Sequence, residues 1–144
     1  MITIDGIVFS EITQIDGIKV VLDVIELKTN SVTGTYIRKK LPGKMKSGQL
    51  TLTRGAIGPP TGTAFKDWMT EVFMGKMSTA RKTAVIQVLG YDGIPVAGAV
   101  WAAKHCWPSS IEVSNFKAGD TNVMNEKIIL EHEGLYFGEA PGEF

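Results

Sequence analysis

The sequence is poor in the residues on which many enzymes and metal sites depend. Its 144 residues include one cysteine, Cys106, and two histidines, His105 and His132. A single cysteine excludes an internal disulfide and fits a chain assembled in a reducing compartment. With no second cysteine and no cluster of histidines, a zinc site is not expected.

The chain also lacks a surplus of charge and any long apolar run. Fifteen basic and fifteen acidic side chains cancel, so the overall balance does not favour nucleic acid or a membrane surface. No apolar run approaches the roughly 20 residues that a membrane helix needs. The first six residues have neither the basic region nor the apolar core of a signal peptide. We therefore expect no membrane anchor and no export by the general secretory route.

What the chain does contain is typical of one folded domain with many turns. A length of 144 residues, 44% of them hydrophobic, is enough for one sizeable core, and we expect a single domain over residues 1–144. Asp-Gly pairs at residues 5–6, 16–17 and 92–93 predict hairpin turns, because both residue types tolerate positive φ.

Apolar residues alternate with other residues along much of the chain, which predicts strands. The predicted strands cover residues 7–15, 18–27, 49–54, 82–89, 96–106, 110–116 and 123–133, with a break at Pro108. The second of these is apolar on both faces. This pattern indicates burial on both faces or contact with a partner chain.

One stretch has a helical period instead. Its apolar residues recur at helical spacing and are Phe65, Trp68, Met69, Val72, Phe73 and Met77. They predict an amphipathic helix over residues 63–77, with Thr63 as its cap and Gly75 near its end. Strands, one helix and more strands indicate a mainly β (α+β) fold, a small β-barrel or sandwich with one packed helix.

Residues with catalytic potential do not converge. His132 lies between Glu131 and Glu133, but neighbours on a strand point to opposite faces, so a structural or surface role is favoured. The same holds for His105 and Cys106, whose nucleophilic pairing stays open as a minor alternative to a buried cysteine. The glycine-rich residues 55–62 lack the Gly-Lys-Ser/Thr of a phosphate loop and contain prolines without amide donors. We predict no catalytic, cofactor or metal site.

A cationic segment precedes the strand at residues 49–54. It comprises Arg38, Lys39, Lys40, Leu41, Pro42, Gly43, Lys44 and Lys46. With the polar residues before it, it predicts a long loop over residues 28–46, and loops of this length are usually functional or disordered. We favour a subunit-interface loop, in which charges fix register and partner choice. A solvated loop and a patch for an anionic partner remain alternatives, although no aromatics are interleaved for base stacking.

Several motifs together resemble the tail-tube proteins of contractile phage tails, including the inner-tube proteins of extracellular contractile injection systems. The motifs are residues 9–12 (FSEI), 39–44 (KKLPGK) with 50–55 (LTLTRG), the helix around 65–72 with Asp67 and Trp68, residues 93–96 (GIPV) with Trp101, and residues 125–135 (NEKIILEHEGL). They span nearly the whole chain in the order of the family. Two departures are a nearly absent first strand and a small insertion at residues 97–100.

The resemblance implies a barrel with one helix, a fold shared with the type VI secretion tube protein. It also implies hexameric rings that stack into a hollow tube, a conduit for DNA or protein cargo inside a contractile sheath. Sheath, baseplate and tail-terminator proteins would be its partners. Assembly in the bacterial cytoplasm into a virion tail or tail-like particle would follow, with no catalysis. The alternatives are a soluble β-barrel binding module that uses the basic loop for an anionic partner and, third, a small enzyme.

Overall fold

A computed structural model describes residues 1–9, 11–55, 63–114, 118–119 and 125–138. The elements in these ranges are β1 (Ile2–Ile4), β2 (Ile7–Phe9), β3 (Ile12–Asp16), β4 (Leu22–Asn30), β5 (Tyr36–Met45), β6 (Gly48–Gly55), α1 (Ala64–Phe73), α2 (Met77–Ala80), β7 (Lys82–Leu89), β8 (Pro95–Val113), β9 (Asn125–His132) and β10 (Gly134–Phe137). The predicted mainly β fold with a packed helix is confirmed.

Eight of the strands form one antiparallel sheet that curves into a barrel. Its order is β2-β1-β7-β8-β9-β6-β3, and β10 pairs with β8 outside this path. The two ends of the path, β2 and β3, are separated by only two residues of chain, so the ends of the sheet lie close together. The long β8 pairs with β7 through its first half and with β9 through its second. His105, which lies near the point where β8 changes from pairing with β7 to pairing with β9, has a φ of +52°.

The core follows from the alternation of β6 and β9. Leu50 and Leu52 of β6 lie opposite Leu130 and Ile128 of β9, and all four side chains are fully buried. Adjacent strands of a sheet present such directly opposite residues on the same face. The residues between them point outward, which confirms the period-two prediction for both strands.

Helix α1 packs its aromatic face against this core. Phe65 and Trp68 are buried, the Phe65 ring lies 4.6 Å from that of Phe9, and the Trp68 Nε1–H donates to the carbonyl of Ala80 in α2. Phe73 was expected in the same stripe, and that expectation is wrong because Phe73 is 80% exposed.

The helix is shorter than residues 63–77. It ends at Phe73, and Gly75 follows with a φ of +74°, the left-handed conformation that ends many helices. Thr63 occupies the N-cap position, but its side chain makes no capping hydrogen bond. Phe73 is the last residue of α1, and Met77 begins a separate short helix, α2.

Two of the three Asp-Gly predictions are confirmed. Residues 5–6 join β1 to β2 and residues 92–93 join β7 to β8. The hairpin predicted at residues 16–17 is wrong, because β3 pairs with β6 and β4 pairs with β5. Gly17 has a φ of +88°, and a Cβ there would lie 2.3 Å from the carbonyl oxygen of Gln49. Close approach to β6 therefore requires this glycine.

The predicted strand break at Pro108 is also wrong. Residues 96–106 and 110–113 belong to one strand, β8, which runs through Pro108. Proline is tolerated in a sheet where the ladder is irregular, and the β8–β9 register shifts between Pro108 and Ser110. A single bent strand can thereby serve both halves of the barrel.

Candidate functional site

The most exposed feature of the described chain is a long hairpin, which we call the hairpin arm. It comprises β4 and β5, residues 22–45, which form a separate two-stranded sheet. At its tip the Ser31 amide donates to the Thr35 carbonyl at 2.8 Å, and the Gly34 amide donates to the Ser31 carbonyl at 2.9 Å. Gly34 has a φ of +80°, which a glycine adopts without steric cost.

The register gives the arm two chemically different faces. Residues directly opposite each other in antiparallel strands share a face. The charged face has the pairs Glu26–Lys40 and Lys28–Arg38, flanked by Val24–Pro42 and Asn30–Tyr36. The apolar face has the pairs Ile25–Leu41, Leu27–Lys39 and Thr29–Ile37. The arm is therefore amphipathic although it lies outside the core.

Both faces of the arm are open to solvent in the single chain. All nine residues of β4 are exposed, as are the first seven of β5. On the apolar face Leu27 and Leu41 are 44% and 43% exposed. An isolated two-stranded hairpin is at best marginally stable, and contiguous exposed apolar residues mark interaction sites. The apolar face is therefore a candidate contact surface.

The arm, together with Lys46 that follows it, also differs in charge from the remainder of the chain. Residues 22–46 contain six basic and two acidic side chains, a surplus of four positive charges. Because the whole chain has fifteen of each sign, the remainder carries a surplus of four negative charges. A positive arm on a negative body favours contacts between copies of the chain.

The root of the arm is fixed to one end of the barrel. The Lys46 amide donates to the Val21 carbonyl at 2.8 Å, and Lys46 Nζ lies 3.2 Å from Oδ1 of Asp23. A Cβ on Gly134 would lie 3.1 Å from Sδ of Met45. The arm therefore leaves the barrel beside the start of β10.

The structure places the predicted interface residues on a strand. Those from Arg38 to Lys44 belong to β5, and Lys46 follows its end. The predicted loop over residues 28–46 is therefore wrong. A Pro-Gly pair favours a turn in sequence, but proline is tolerated in an edge strand or at a bulge. The register shift between the pairs Leu22–Met45 and Val24–Pro42 leaves Gly43 as part of such a bulge.

The strand divides the cations between the two faces. Arg38 and Lys40 share the charged face, whereas Lys39 lies among apolar residues on the other. The sequence pattern predicted Leu41 as an interface residue but not Ile37, and it did not predict an apolar face. The signal for this face was present, because Ile37 and Leu41 are four residues apart and therefore lie on the same face of a strand.

The Cys106–His105 pair does not form a nucleophilic centre. Cys106 is fully buried, and its Sγ donates to the carbonyl of Ala103 at 3.3 Å. Burial raises the pKa of this thiol to about 12, so it remains protonated at neutral pH. A nucleophilic cysteine requires the opposite shift.

His132 faces the core beside β6. It is 4% exposed, and a Cβ on the opposite residue, Gly48, would lie 3.3 Å from its Nε2. Neither ring nitrogen has a hydrogen-bond partner among the described residues. Burial lowers the pKa of His132, and the charge of Glu131 opposes this shift to a smaller extent. Glu131 itself accepts a hydrogen bond from Gln49 on the opposite face of the sheet.

The structure also bears on the glycine-rich segment, on metal binding and on membrane-spanning helices. Of the glycine-rich residues 55–62, all but Gly55 lie outside the described ranges. Among the residues that the structure does describe, no group of three or more His, Cys, Asp or Glu could hold a metal ion. The described helices include none long and apolar enough to cross a membrane.

Known proteins resemble this chain in sequence pattern and in fold. The family described as T4-like virus tail tube protein gp19 matches residues 1–136. No protein with curated annotation matches significantly. A chain of the PVC sheath-tube complex, an extracellular contractile injection system in its extended state, superposes with a TM-score of 0.72 at 18% identity, covering 96% of this chain and 87% of the other.

Two other solved structures share the fold. A chain of the anti-feeding prophage (AFP) tube terminating cap has a TM-score of 0.66 at 20% identity, over 90% of this chain and 80% of its own. Hcp1 from Flavobacterium johnsoniae has a TM-score of 0.53 at 14% identity, over 96% of this chain and 94% of its own.

Proposed function

Because the chain belongs to the T4-like virus tail tube protein family, a structural rather than enzymatic family, we propose that its copies form hexameric rings that stack into a hollow tube. The protein is thus a component of a phage tail or tail-like particle. The proposed tube is the inner conduit of a contractile tail or injection system. DNA or protein cargo passes through it.

The observation that carries this proposal is the hairpin arm. Its apolar face is exposed in the single chain, and a free two-stranded hairpin gains little stability by itself. A neighbouring copy would cover that face and complete the open edges of β4 and β5, which otherwise invite uncontrolled pairing. Polymerisation therefore explains why so much apolar surface lies on an exposed element.

We propose that the cations of the arm act at the contact between stacked rings. Lys40 and Arg38 on the charged face, with Lys44 and Lys46 near the root, would meet carboxylates of the neighbouring ring. One exposed ion pair contributes only about 0–1 kcal/mol. The free energies of the same contact repeated around a ring would add up, and the total would fall as salt is added.

Proposed partners follow from the family and from the assemblies in which the similar folds occur. One of these is a sheath-tube complex and another is a tube terminating cap. We propose that this tube likewise lies inside a sheath, begins at a baseplate and ends at a terminator protein. Its subunits would be assembled in the bacterial cytoplasm.

A second candidate function is a soluble binding module that uses the arm for an anionic partner. The surplus of four positive charges over residues 22–46 favours it. In that case the protein would stay dispersed when pure, and the acidic partner alone would cover the arm. The apolar face has no explanation under this reading.

Negative-stain electron microscopy of the purified protein tests the proposal. Rings or hollow tubes of uniform diameter are expected at micromolar protein, with shorter tubes as salt is raised. Dispersed single particles at every concentration tested would contradict polymerisation and favour the binding module.

A further inference from the structure

The apolar face of the hairpin arm has a cation at its centre. Ile25, Leu27, Ile37 and Leu41 surround Lys39 in the β4–β5 register, and the exposed fractions of the four apolar side chains lie between 38% and 49%. A matching surface would be apolar and would contain one carboxylate.

The turn between β7 and β8 has this composition. We call it the Tyr91 turn, residues 89–96. Tyr91 is fully exposed, and Ile94 and Val96 are 63% and 43% exposed. From residue 83 to residue 103 the chain has one charged side chain, Asp92. Oδ1 of Asp92 accepts a hydrogen bond from the Ile94 amide at 3.1 Å, which fixes the carboxylate among the exposed apolar residues.

The root of the arm and the Tyr91 turn lie at opposite ends of β7. The root is beside Gly134, which pairs with Lys104. Lys82, at the start of β7, pairs with Cys106 at that same end, and Leu89 at its other end pairs with Pro95. The seven steps from Lys82 to Leu89 span about 23 Å at roughly 3.3 Å per residue.

We propose that the apolar face of the hairpin arm of one copy docks on the Tyr91 turn of a second copy, with Lys39 against Asp92. This inference rests on the proposed polymeric function and names the two surfaces that join the copies. Apolar burial stabilises the contact. The opposite charges fix its orientation, and each copy offers the positive surface at one end and the negative surface at the other.

The contact is heterologous, because the two surfaces differ. A heterologous contact closes into a ring or repeats along an axis, whereas a contact between two identical patches ends at a dimer. Because every copy has one arm and one Tyr91 turn, every copy can bind a further copy and extend the assembly. Hairpin arms packed face to face would stop it at two.

Cysteine cross-linking between two differently tagged variants tests this inference. One variant is Leu27→Cys and the other is Ile94→Cys, and the two are mixed before assembly and treated with a short bis-maleimide. Cys106 stays inert because it is fully buried and its thiol has a pKa of about 12. Ile25→Cys, on the same face, is a second arm position if Leu27→Cys fails to assemble.

The matched control is Lys28→Cys, which lies next to Leu27 in sequence but on the charged face. We expect the Leu27→Cys and Ile94→Cys pair to cross-link several-fold more than the control pair with Ile94→Cys. Asp92→Asn keeps the oxygen that accepts from Ile94 but removes the charge, and should make assembly less sensitive to salt.

The other outcomes overturn the inference in distinguishable ways. Tubes with no excess of the mixed cross-link would leave the proposed function intact but remove the Tyr91 turn from the contact. A dominant Leu27→Cys homodimer would show that arms pack face to face. Absence of any polymer from the wild-type chain would contradict both the proposed function and this inference.

Discussion

Arg54 and Glu126 form an ion pair in the core, directly opposite each other on β6 and β9. Nε of Arg54 donates to Oε2 of Glu126 at 2.8 Å, and Nη2 lies 2.7 Å from the same oxygen. The guanidinium also lies over the Phe65 ring, 4.8 Å from its centroid. This pair therefore joins the two central strands to helix α1.

Removing one member of this pair should destabilise the barrel strongly. Arg54→Met leaves the carboxylate of Glu126 buried without its cation, and losing one partner of a buried pair costs about 3–5 kcal/mol. Urea denaturation monitored by circular dichroism measures the change in the free energy of unfolding.

The double variant Arg54→Met with Glu126→Leu is the control, because it removes both charges. It should recover much of the lost stability, since a well-packed apolar pair is often as stable as a buried ion pair. Equal losses in the single and double variants would show that packing of Arg54, rather than its charge, is what matters.

Trp68→Ala should cost about 3–5 kcal/mol, since a large buried aromatic side chain is removed from the core. Trp68 is 5% exposed and its ring stacks on Phe65 at 6.2 Å. The matched control on the same helix is Phe73→Ala, which should change stability by less than about 0.5 kcal/mol because Phe73 is exposed. An unchanged unfolding midpoint for Trp68→Ala would show that Trp68 does not lie on the face of α1 that packs against the barrel.

His132 should make the fold less stable as the pH falls. Burial lowers its pKa in the folded chain below the value of about 6.5 found in unfolded chains. Below that value the unfolded state binds more protons, so stability is lost as the pH falls from about 6.5 towards the folded pKa. Urea titrations at pH 7.5, 6.5 and 5.5 measure this loss.

The pH prediction has a control in a variant that lacks the His132 imidazole. His132→Leu should flatten the pH dependence between about 6.5 and 5.5. If the free energy of unfolding depended on pH equally in the wild type and in His132→Leu, carboxylates rather than His132 would be the cause of the acid sensitivity.

Reversing the charge of the arm should impair assembly but not folding, because Lys40 and Lys44 belong to the proposed stacking contact and Lys39 to the proposed contact with Asp92. The triple variant of Lys39, Lys40 and Lys44 to Glu changes exposed side chains only, and the barrel core does not include them. Circular dichroism should therefore match the wild type, while sedimentation should show shorter polymers or none.

The control for the arm variant carries the same charge change elsewhere. Lys66, Lys76 and Lys127 are exposed on α1, after α1 and on β9, and their replacement by Glu should reduce assembly less. Tubes of normal length from the arm variant would show that Lys39, Lys40 and Lys44 are not needed in either proposed contact, and would favour the alternative in which these cations are only solvated.

The sequence predicted those parts of the fold in which one face is buried. Leu50 and Leu52, or Phe65 and Trp68, repeat at the period of their element because the core requires it. These signals are local, and the helix and the strands at β6, β7 and β9 follow from them.

The other features of the fold depend on contacts between residues that are distant in sequence, and a local sequence pattern does not predict such contacts. Gly17 was assigned to a hairpin turn, yet it is required by the carbonyl of Gln49, which is distant in sequence. Pro108 and Pro42 both lie in strands, because irregular registers opposite them tolerate the missing amide. For the candidate site, the cations were identified from sequence, but their division between two faces required the β4–β5 register.

Hydrogen–deuterium exchange of the arm amides tests most directly whether neighbouring copies complete the arm. Dispersed subunits and sedimented polymer would be compared for peptides covering residues 22–45 and, as a reference, β6 and β9. The core strands should be protected in both states, whereas the arm should exchange rapidly in dispersed subunits and slowly in the polymer. Equally rapid exchange of the arm in both states would contradict the account, because it would show that the arm stays exposed after assembly.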